Sequence, residues 1–457
     1  MADTIAAIAT GGIISAIGIV RVSGDRAIEI ADEVFTPTFT KKRVREAKDR
    51  QLIYGELRDE KGETIDICLC TVSRGPGSYT GEDTAEFQCH GSPVVLAAAL
   101  RSLFAAGARQ ALPGEFTKRA FLNGRMDLSQ AEAVVDIIDA ETLNAAKNAV
   151  GQLGGAMGRK TEAIRSGLID IMAHFHAVID YPDEDIDEFC LENYASQLEE
   201  AEGRLKALLD TYDRGRILKD GVKCAIIGKP NAGKSSLLNA LVGYDRAIVT
   251  DIAGTTRDTI EEKVKVGETV LRLVDTAGIR ETEDEVERLG VERSIEAADM
   301  AELVIAVFDG SRPFEEEDER VLNSALNSPR TVAVINKSDL PQRIDRKAIE
   351  DRCQNICVVS ALTGSGVKEI EKAVGDMFSQ GDIPPSGEIV ANERHADAIK
   401  RAKDAIASGR GALKSGITPD AVLTEIEAAI SALGEITGGT VREDITDRIF
   451  SRFCVGK

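Results

Sequence analysis

Gly228-Lys229-Pro230-Asn231-Ala232-Gly233-Lys234-Ser235 follows the apolar run 222–227 and precedes a helix-forming run, 236–241, that opens with Ser236. A strand, a glycine-containing loop and a helix in that order provide the setting a phosphate cradle needs. Glycines let main-chain N–H groups turn toward phosphate oxygens, Lys234 brings charge to the β- and γ-oxygens, and the Ser235 hydroxyl can ligate Mg2+. Taken alone, the octapeptide also fits an ordinary glycine-rich turn.

Three further motifs follow in order. Asp275-Thr276-Ala277-Gly278 succeeds the strand-like run 270–274, where a carboxylate can hold the magnesium shell and a glycine N–H can sense a γ-phosphate. Asn336-Lys337-Ser338-Asp339 succeeds the run 332–335. The Asp339 carboxylate can accept hydrogen bonds from the N1 and N2 donors of guanine, a pair that adenine lacks. Leaving that carboxylate unpaired costs on the order of several kcal/mol, enough to select GTP strongly. Ser360-Ala361-Leu362 completes the base pocket.

Between the first two motifs lies Thr250-Asp251-Ile252-Ala253-Gly254-Thr255-Thr256-Arg257-Asp258, a Gly/Thr-rich loop suited to a switch that orders around the γ-phosphate, with Thr256 as the second magnesium hydroxyl. Ile279 stands where Ras-like GTPases place a water-orienting glutamine. Another polar group must therefore position the attacking water. The acidic stretch 281–287 is close behind in sequence, although its spacing by itself favours a solvated helix face.

Outward from this centre, 457 residues imply roughly two to four domains. The part before residue 117 mixes strand-like runs, 13–22 and 64–72, with Gly/Pro turns over 74–81, an α+β pattern. Residues 118–216 turn helical, with Leu198, Ala201, Leu205, Leu208 and Tyr212 at three- and four-residue steps. Strand-like runs at 222–227, 270–274, 303–308, 332–335 and 356–359 alternate with helical stretches and predict a parallel α/β sheet covered on both faces. Pro384 and Pro385 end that part, and helical periodicity returns over 391–433. The expected organisation is an α+β domain at 1–117, a helical bundle in two parts (118–216 and 381–457), and a Ras-like P-loop GTPase domain at 217–380 inserted between them.

Seventy-seven acidic against 56 basic residues give a net charge of -21, which excludes a chain that coats nucleic acid by general electrostatics and makes any RNA contact local. No apolar span of about 20 residues and no signal-peptide pattern occurs, so the sequence reads as a soluble, cytoplasmic protein. The eight cysteines lack a disulfide-framework spacing and are expected reduced and mostly structural. His174 and His176, two apart on a helix, point to different faces and do not suggest a zinc pair.

Outside the nucleotide motifs, further runs carry a resemblance that spans nearly the whole chain. They are Arg21-Val22-Ser23-Gly24, Tyr79-Thr80-Gly81-Glu82-Asp83, His90-Gly91, Pro113-Gly114-Glu115-Phe116, Arg119-Ala120-Phe121-Leu122-Asn123-Gly124, Asp127-Leu128 and Gln130-Ala131-Glu132-Ala133. With the ending Asp447-Arg448-Ile449-Phe450-Ser451-Arg452-Phe453-Cys454-Val455-Gly456-Lys457, the chain resembles the MnmE (TrmE) family of tRNA-modifying GTPases.

That resemblance implies a homodimer whose N-terminal domain dimerises and binds a 5,10-methylene- or 5-formyl-tetrahydrofolate near Arg21, Glu82, Arg125 and Lys457. A pterin offers amide donors to a carboxylate such as Glu82, and the cations suit the folate's glutamate tail. Position 125 carries arginine where the family often has lysine, and the opening loop 11–17 departs from the expected Pro/Gly-rich form. Without the family, Arg21 and Glu82 read as a surface ion pair. The resemblance further implies potassium-dependent pairing of two GTPase domains. Asn231 and the loop residues Thr250, Ile252 and Thr255 would surround the K+, and Glu287 would orient the attacking water. Cys454, beside Arg452 and Lys457, takes a part in modification chemistry on the family reading and is an ordinary partly buried cysteine otherwise.

The implied activity is GTP hydrolysis that serves addition of a carboxymethylaminomethyl-type group to C5 of the tRNA wobble uridine at position 34. The flavoprotein MnmG, which carries FAD, is the implied partner in a heterotetramer or larger complex, without a membrane. A ribosome-assembly or signalling GTPase switch would show nearly the same nucleotide motifs, and only the flanking domains discriminate.

Overall fold

A computed structural model describes residues 3–11, 13–180, 191–244, 262–274, 298–378, 387–415, 419–441 and 443–457. The chain opens with β1 (Ile5–Ile8), β2 (Ser15–Ser23), α1 (Ala27–Val34), β3 (Phe35–Pro37), β4 (Ile53–Arg58), β5 (Thr64–Ser73), β6 (Thr84–Gly91), α2 (Pro93–Ala105), β7 (Arg109–Gln110) and α3 (Glu115–Leu122). Its strands form one seven-stranded sheet in the order β3-β4-β5-β6-β2-β1-β7, antiparallel except for the β1–β7 pair. Alternation explains its one-sided core. Val20 and Val22 of β2, Cys68, Cys70 and Val72 of β5, and Ala85, Phe87 and Cys89 of β6 all point to the buried side, where Ile28, Ile30, Leu96 and Leu103 of the two helices meet them. The α+β expectation for this region fits what is observed.

Helices follow: α4 (Leu128–Ile138), α5 (Leu143–Leu153), α6 (Ala156–Asp180), α7 (Leu191–Leu209) and α8 (Tyr212–Asp220). The predicted periodicity continued through Tyr212, yet α7 stops at Leu209 and Tyr212 starts a separate helix after Thr211. Step counting alone does not see this break, because Tyr212 falls four residues after Leu208 whether or not the helix continues.

The second sheet uses β8 (Val222–Gly228), α9 (Lys234–Tyr244), β9 (Glu262–Val266), β10 (Thr269–Leu273), β11 (Leu303–Asp309), α10 (Glu316–Leu326), β12 (Thr331–Asn336), α11 (Lys347–Glu350), β13 (Ile356–Val358) and α12 (Val367–Phe378). Its order is β13-β12-β11-β8-β10-β9. Leu303, Ile305 and Val307 feed one core while Val304, Ala306 and Phe308 feed the other, so β11 is apolar up to its last residue, Asp309. The five strands expected from sequence pair parallel, and a sixth that was not expected, β9, adds to the edge antiparallel to β10. The sequence reading missed β9 because Glu262-Lys263-Val264-Lys265-Val266 is an edge strand with charges on its outer positions. Gly267, at φ 61°, makes the tight turn between the two strands.

The chain ends with α13 (Glu393–Lys414), α14 (Pro419–Thr437) and α15 (Glu443–Phe450). Met157, Ile164, Leu168, Ile171 and Phe175 make the buried stripe of α6, and Val422, Ile426, Ala429, Leu433 and Ile436 that of α14, against which α6 packs. Each such large apolar side chain contributes roughly 1.5–3 kcal/mol on burial. The chain divides into two compact units, one of residues 1–135, 152–199 and 404–457, the other of residues 136–151 and 200–403. Among the described residues no helix is long and apolar enough to cross a membrane.

Candidate functional site

In the second unit the phosphate-loop motif occupies the turn between β8 and α9, with Lys234, Ser235 and Ser236 in the first turn of the helix. Two backbone conformations shape this turn: Asn231 has φ 61° and Gly233 φ 96°. A Cβ on Gly233 would lie 2.2 Å from Asn336 Nδ2, so only glycine lets the loop and the base-reading motif approach this closely.

Asn336, 2% exposed at the end of β12, ties three motifs together. Its Nδ2 donates to the Ala232 carbonyl at 2.9 Å, and its Oδ1 accepts from the Ala361 amide at 3.0 Å. Lys337, at φ 64°, donates through Nζ to the Asn231 carbonyl at 2.7 Å and pairs with Asp309 Oδ2 at 2.6 Å. Burial opposes ionisation of Asp309, but hydrogen bonds from Lys337 and Ser311 outweigh it and hold the carboxyl below the usual range. The buried Ser360 hydroxyl donates to Asp339 Oδ1 at 2.5 Å and leaves that carboxylate at the exposed rim, and Leu362, two residues after Ser360, is 84% exposed.

Lys234 Nζ lies across the loop and donates to the Gly228 and Lys229 carbonyls at 2.9 and 3.0 Å. Burial pulls its pKa down, the environment of an ammonium suited to a phosphate counter-charge. Lys229 turns the other way, to Glu315 Oε2 at 2.8 Å and Asp318 Oδ2 at 2.7 Å. Those two acids form the capping box of α10, so the loop is strapped to that helix N-terminus. Sequence reasoning missed Lys229, Asp309, Glu315 and Asp318. A carboxylate closing the apolar run 303–308 was the available signal for Asp309, since ligands of α/β sheets gather at the carboxyl ends of strands. Thr250, Asp251, Ile252, Ala253, Gly254, Thr255, Thr256, Asp275, Thr276, Ala277, Gly278 and Glu287 lie outside the described residues.

In the first unit, Arg21, Glu82, Arg125 and Lys457 gather around the turn before β6 and the start of α3. Arg21 lies over the rings of Tyr79 and Phe116, at 5.5 and 5.6 Å to their centroids. Its ion-pair partner is Glu86, its cross-strand neighbour, at 2.6 Å, rather than the Glu82 considered from sequence. Glu82 instead accepts from Ser23 Oγ at 2.7 Å and from Arg119 Nη1 at 3.1 Å, so its orientation is fixed from two sides. The exposed Arg125 packs its stem toward Gly81, where a Cβ would lie 3.3 Å from its Cγ.

The C-terminal segment reaches the same place: Pro113 and Val455 form an antiparallel bridge, and the Phe116 amide donates to the Lys457 carbonyl at 3.2 Å. Cys454 is exposed on this anchored segment, whereas Cys68, Cys70, Cys89, Cys224, Cys353 and Cys357 are buried free thiols. Glu82, oriented by Ser23 and Arg119, presents a fixed carboxylate that can accept from amide donors of a ligand.

The sequence model described as the MnmE helical domain matches residues 128–454, and that of the GTP-binding protein TrmE N-terminus matches residues 4–125. The chain is similar to the tRNA modification GTPase MnmE of Alkaliphilus oremlandii, 45% identical over 100% of this chain and 99% of that one. It is also similar to the protein of that name from Clostridioides difficile, 43% identical with the same coverage. Among solved structures, the G domain of the T. maritima FeoB iron transporter aligns at 25% identity over 35% of this chain and 99% of that one, with a TM-score of 0.26.

Proposed function

The chain belongs to the tRNA modification GTPase MnmE family, and from that premise we propose how its residues divide the work. It is a GTP hydrolase that takes part in tRNA modification. The finer reading is a potassium-dependent GTPase that, with the flavoprotein MnmG, adds a carboxymethylaminomethyl-type group to C5 of the wobble uridine, using a tetrahydrofolate one-carbon unit. We assign folate binding and dimerisation to residues 1–117, GTP turnover to 217–380, and the helical scaffold to 118–216 and 381–457, in a cytoplasmic homodimer.

The observation that carries the nucleotide assignment is the pair of hydrogen bonds at Asn336, which donates to the Ala232 carbonyl and accepts from the Ala361 amide. They support a single pocket in which the phosphate cradle and the base reader cannot shift independently. Main-chain amides of 231–236 and the Lys234 ammonium hold the phosphates, and the Ser235 and Thr256 hydroxyls, with Asp275, hold a magnesium shell. Asp339 reads the guanine edge between Lys337 and the 360–362 loop. Glu287 orients the attacking water. Asn231, whose side chain is exposed beside the cradle, belongs with Thr250, Ile252 and Thr255 to the potassium shell. Bound potassium would supply positive charge where charge accumulates in phosphoryl transfer, the place an arginine finger takes elsewhere.

In the first unit, Glu82 orients the pterin edge, Arg21, Arg125 and Lys457 hold the glutamate tail, and Cys454 serves the modification step. The folate supplies the one-carbon unit when bound. The test combines two readouts. A strain lacking the endogenous protein regains the modified wobble uridine, measured on tRNA nucleosides, when given this chain, and its purified GTPase activity falls strongly when potassium is replaced by sodium. Restored GTPase activity without restored uridine modification, in the presence of the flavoprotein, overturns the tRNA part. Equal turnover in both salts overturns the potassium part.

A further inference from the structure

The antiparallel pair β5–β6 places chemistry on the first unit that the folate and GTP readings do not use. The pairing Leu69↔Gln88 sets Cys68 beside Cys89 on the buried face, and their sulfurs are 3.9 Å apart. One strand pleat away on the same face, Asp66 brings a carboxylate oxygen so that it and the two sulfurs all lie within 4.8 Å of one another. The carboxylate is not loose: the main-chain amides of Ile67 and His90 each donate to it at 2.8 Å, and His90 Nδ1 lies 2.8 Å from Oδ1. Cys68 and Cys89 are 5% and 1% exposed, whereas the His90 side chain is 74% exposed. The cluster thus runs from a dry interior at the sulfurs to a wet rim at His90.

We propose that Asp66, Cys68 and Cys89 bind one thiophilic divalent cation of the Zn2+ class, with His90 orienting Asp66 from the rim or completing the coordination. Tetrahedral coordination at the usual Zn–S length of about 2.3 Å separates two thiolate sulfurs by about 3.8 Å, close to the spacing these residues have. As neutral thiols Cys68 and Cys89 pack in contact; once they lose their protons, two thiolates and the Asp66 carboxylate repel one another. A dication converts the same arrangement into mutual attraction. Two sulfurs, one oxygen and an imidazole select zinc-like ions over magnesium or calcium, which prefer oxygen-only shells. Holding an ion here pins β5 to β6, and through His90-Gly91 the start of α2.

The test uses the full chain carrying Cys190→Ser and Cys454→Ser, so that the remaining thiols are the six buried ones, kept reduced and titrated with Co2+. One equivalent should produce thiolate-to-cobalt charge-transfer absorption that Zn2+ abolishes. Cys68→Val or Cys89→Val should cut that absorption by about half, and the double variant should remove it. Valine preserves packing at these core positions. His90→Ala, at an exposed position that does not threaten folding, should weaken binding on the order of ten- to hundred-fold, the range usual for groups that orient metal ligands. Affinity should also rise with pH, because binding displaces thiol protons. Absence of the charge-transfer band in the parent chain, or a band unchanged in the Cys68→Val/Cys89→Val double variant, overturns the proposal. Binding that is equally tight in His90→Ala overturns the part assigned to His90.

Discussion

Asp309 Oδ2 and Lys337 Nζ meet at 2.6 Å at the carboxyl ends of the neighbouring parallel strands β11 and β12. The same ammonium holds the Asn231 carbonyl, so one charge on a strand end fixes both the base-reading lysine and the crest of the phosphate loop. Replacing Asp309 by asparagine keeps the shape and removes the charge. Loss of one largely buried charge-assisted bond costs about 1.5–3 kcal/mol, which raises the Kd for GTP and GDP roughly ten- to hundred-fold. Calorimetric titration of the variant checks this, and an unchanged Kd shows that Lys337 is held without Asp309.

Asp339→Asn should reverse base preference. An amide at this position presents a donor where guanine needs a second acceptor, whereas xanthine offers a carbonyl there. The ratio of GTP to xanthosine triphosphate affinity is expected to fall by several orders of magnitude. Because Ser360 donates to this side chain, Ser360→Ala should weaken GTP binding without reversing the preference. Unaltered selectivity in Asp339→Asn removes the base-reading assignment.

The sheets and the nucleotide pocket were legible from sequence for a definable reason. Strands buried on both faces, such as β11 and β12, have uninterrupted apolar interiors, 303–308 and 332–335, and a glycine loop between such a strand and a helix leaves few alternatives. Legibility failed where one face is solvated or where tertiary pairing decides. Edge strand β9 carries lysines on alternate positions and hides its identity, and the break at Thr211 falls inside the four-residue step from Leu208 to Tyr212, which reads from sequence as one helix. In the first unit, motif residues identified Arg21 and Glu82 but not their partners. Glu86 became the mate of Arg21 through strand register, and Arg119 reached Glu82 from α3, neither of which local sequence encodes.

Glu115 supplies a pH prediction. Burial opposes its ionisation, yet hydrogen bonds from Arg109, the Leu112 amide and Arg119 prevail, and its folded-state pKa lies below the ordinary value of 4.5. As pH falls, the unfolded chain takes up the proton first, so the stability this group contributes is complete above its unfolded pKa and is lost as pH drops through the folded one. Hydrogen-exchange protection of α3 should therefore be lower in Glu115→Gln than in the parent at neutral pH, by about 1–3 kcal/mol. The difference should shrink below pH 4.5 as the parent loses its charge. A gap that stays constant with pH means the pairing does not discriminate the ionised form.

Gly456 tests whether the chain terminus is a built part of the first unit. It has φ 102°, a conformation that side-chain-bearing residues rarely adopt, and a Cβ there would lie 2.3 Å from the Ile8 carbonyl. Gly456→Ala must therefore either strain the backbone, at roughly 1–3 kcal/mol, or pull the segment away from β1. Release of the segment breaks the Pro113–Val455 bridge and the Phe116–Lys457 hydrogen bond, which together tie Cys454 and Lys457 to the start of α3. The nucleotide motifs belong to the other unit, so intrinsic GTP affinity should stay within about twofold. Carboxypeptidase should instead remove the terminal residues faster, and uridine modification should drop in parallel with folate affinity. Modification at the parental level, with the tail digested no faster, shows that the terminus accommodates the methyl group and that its anchoring is not required.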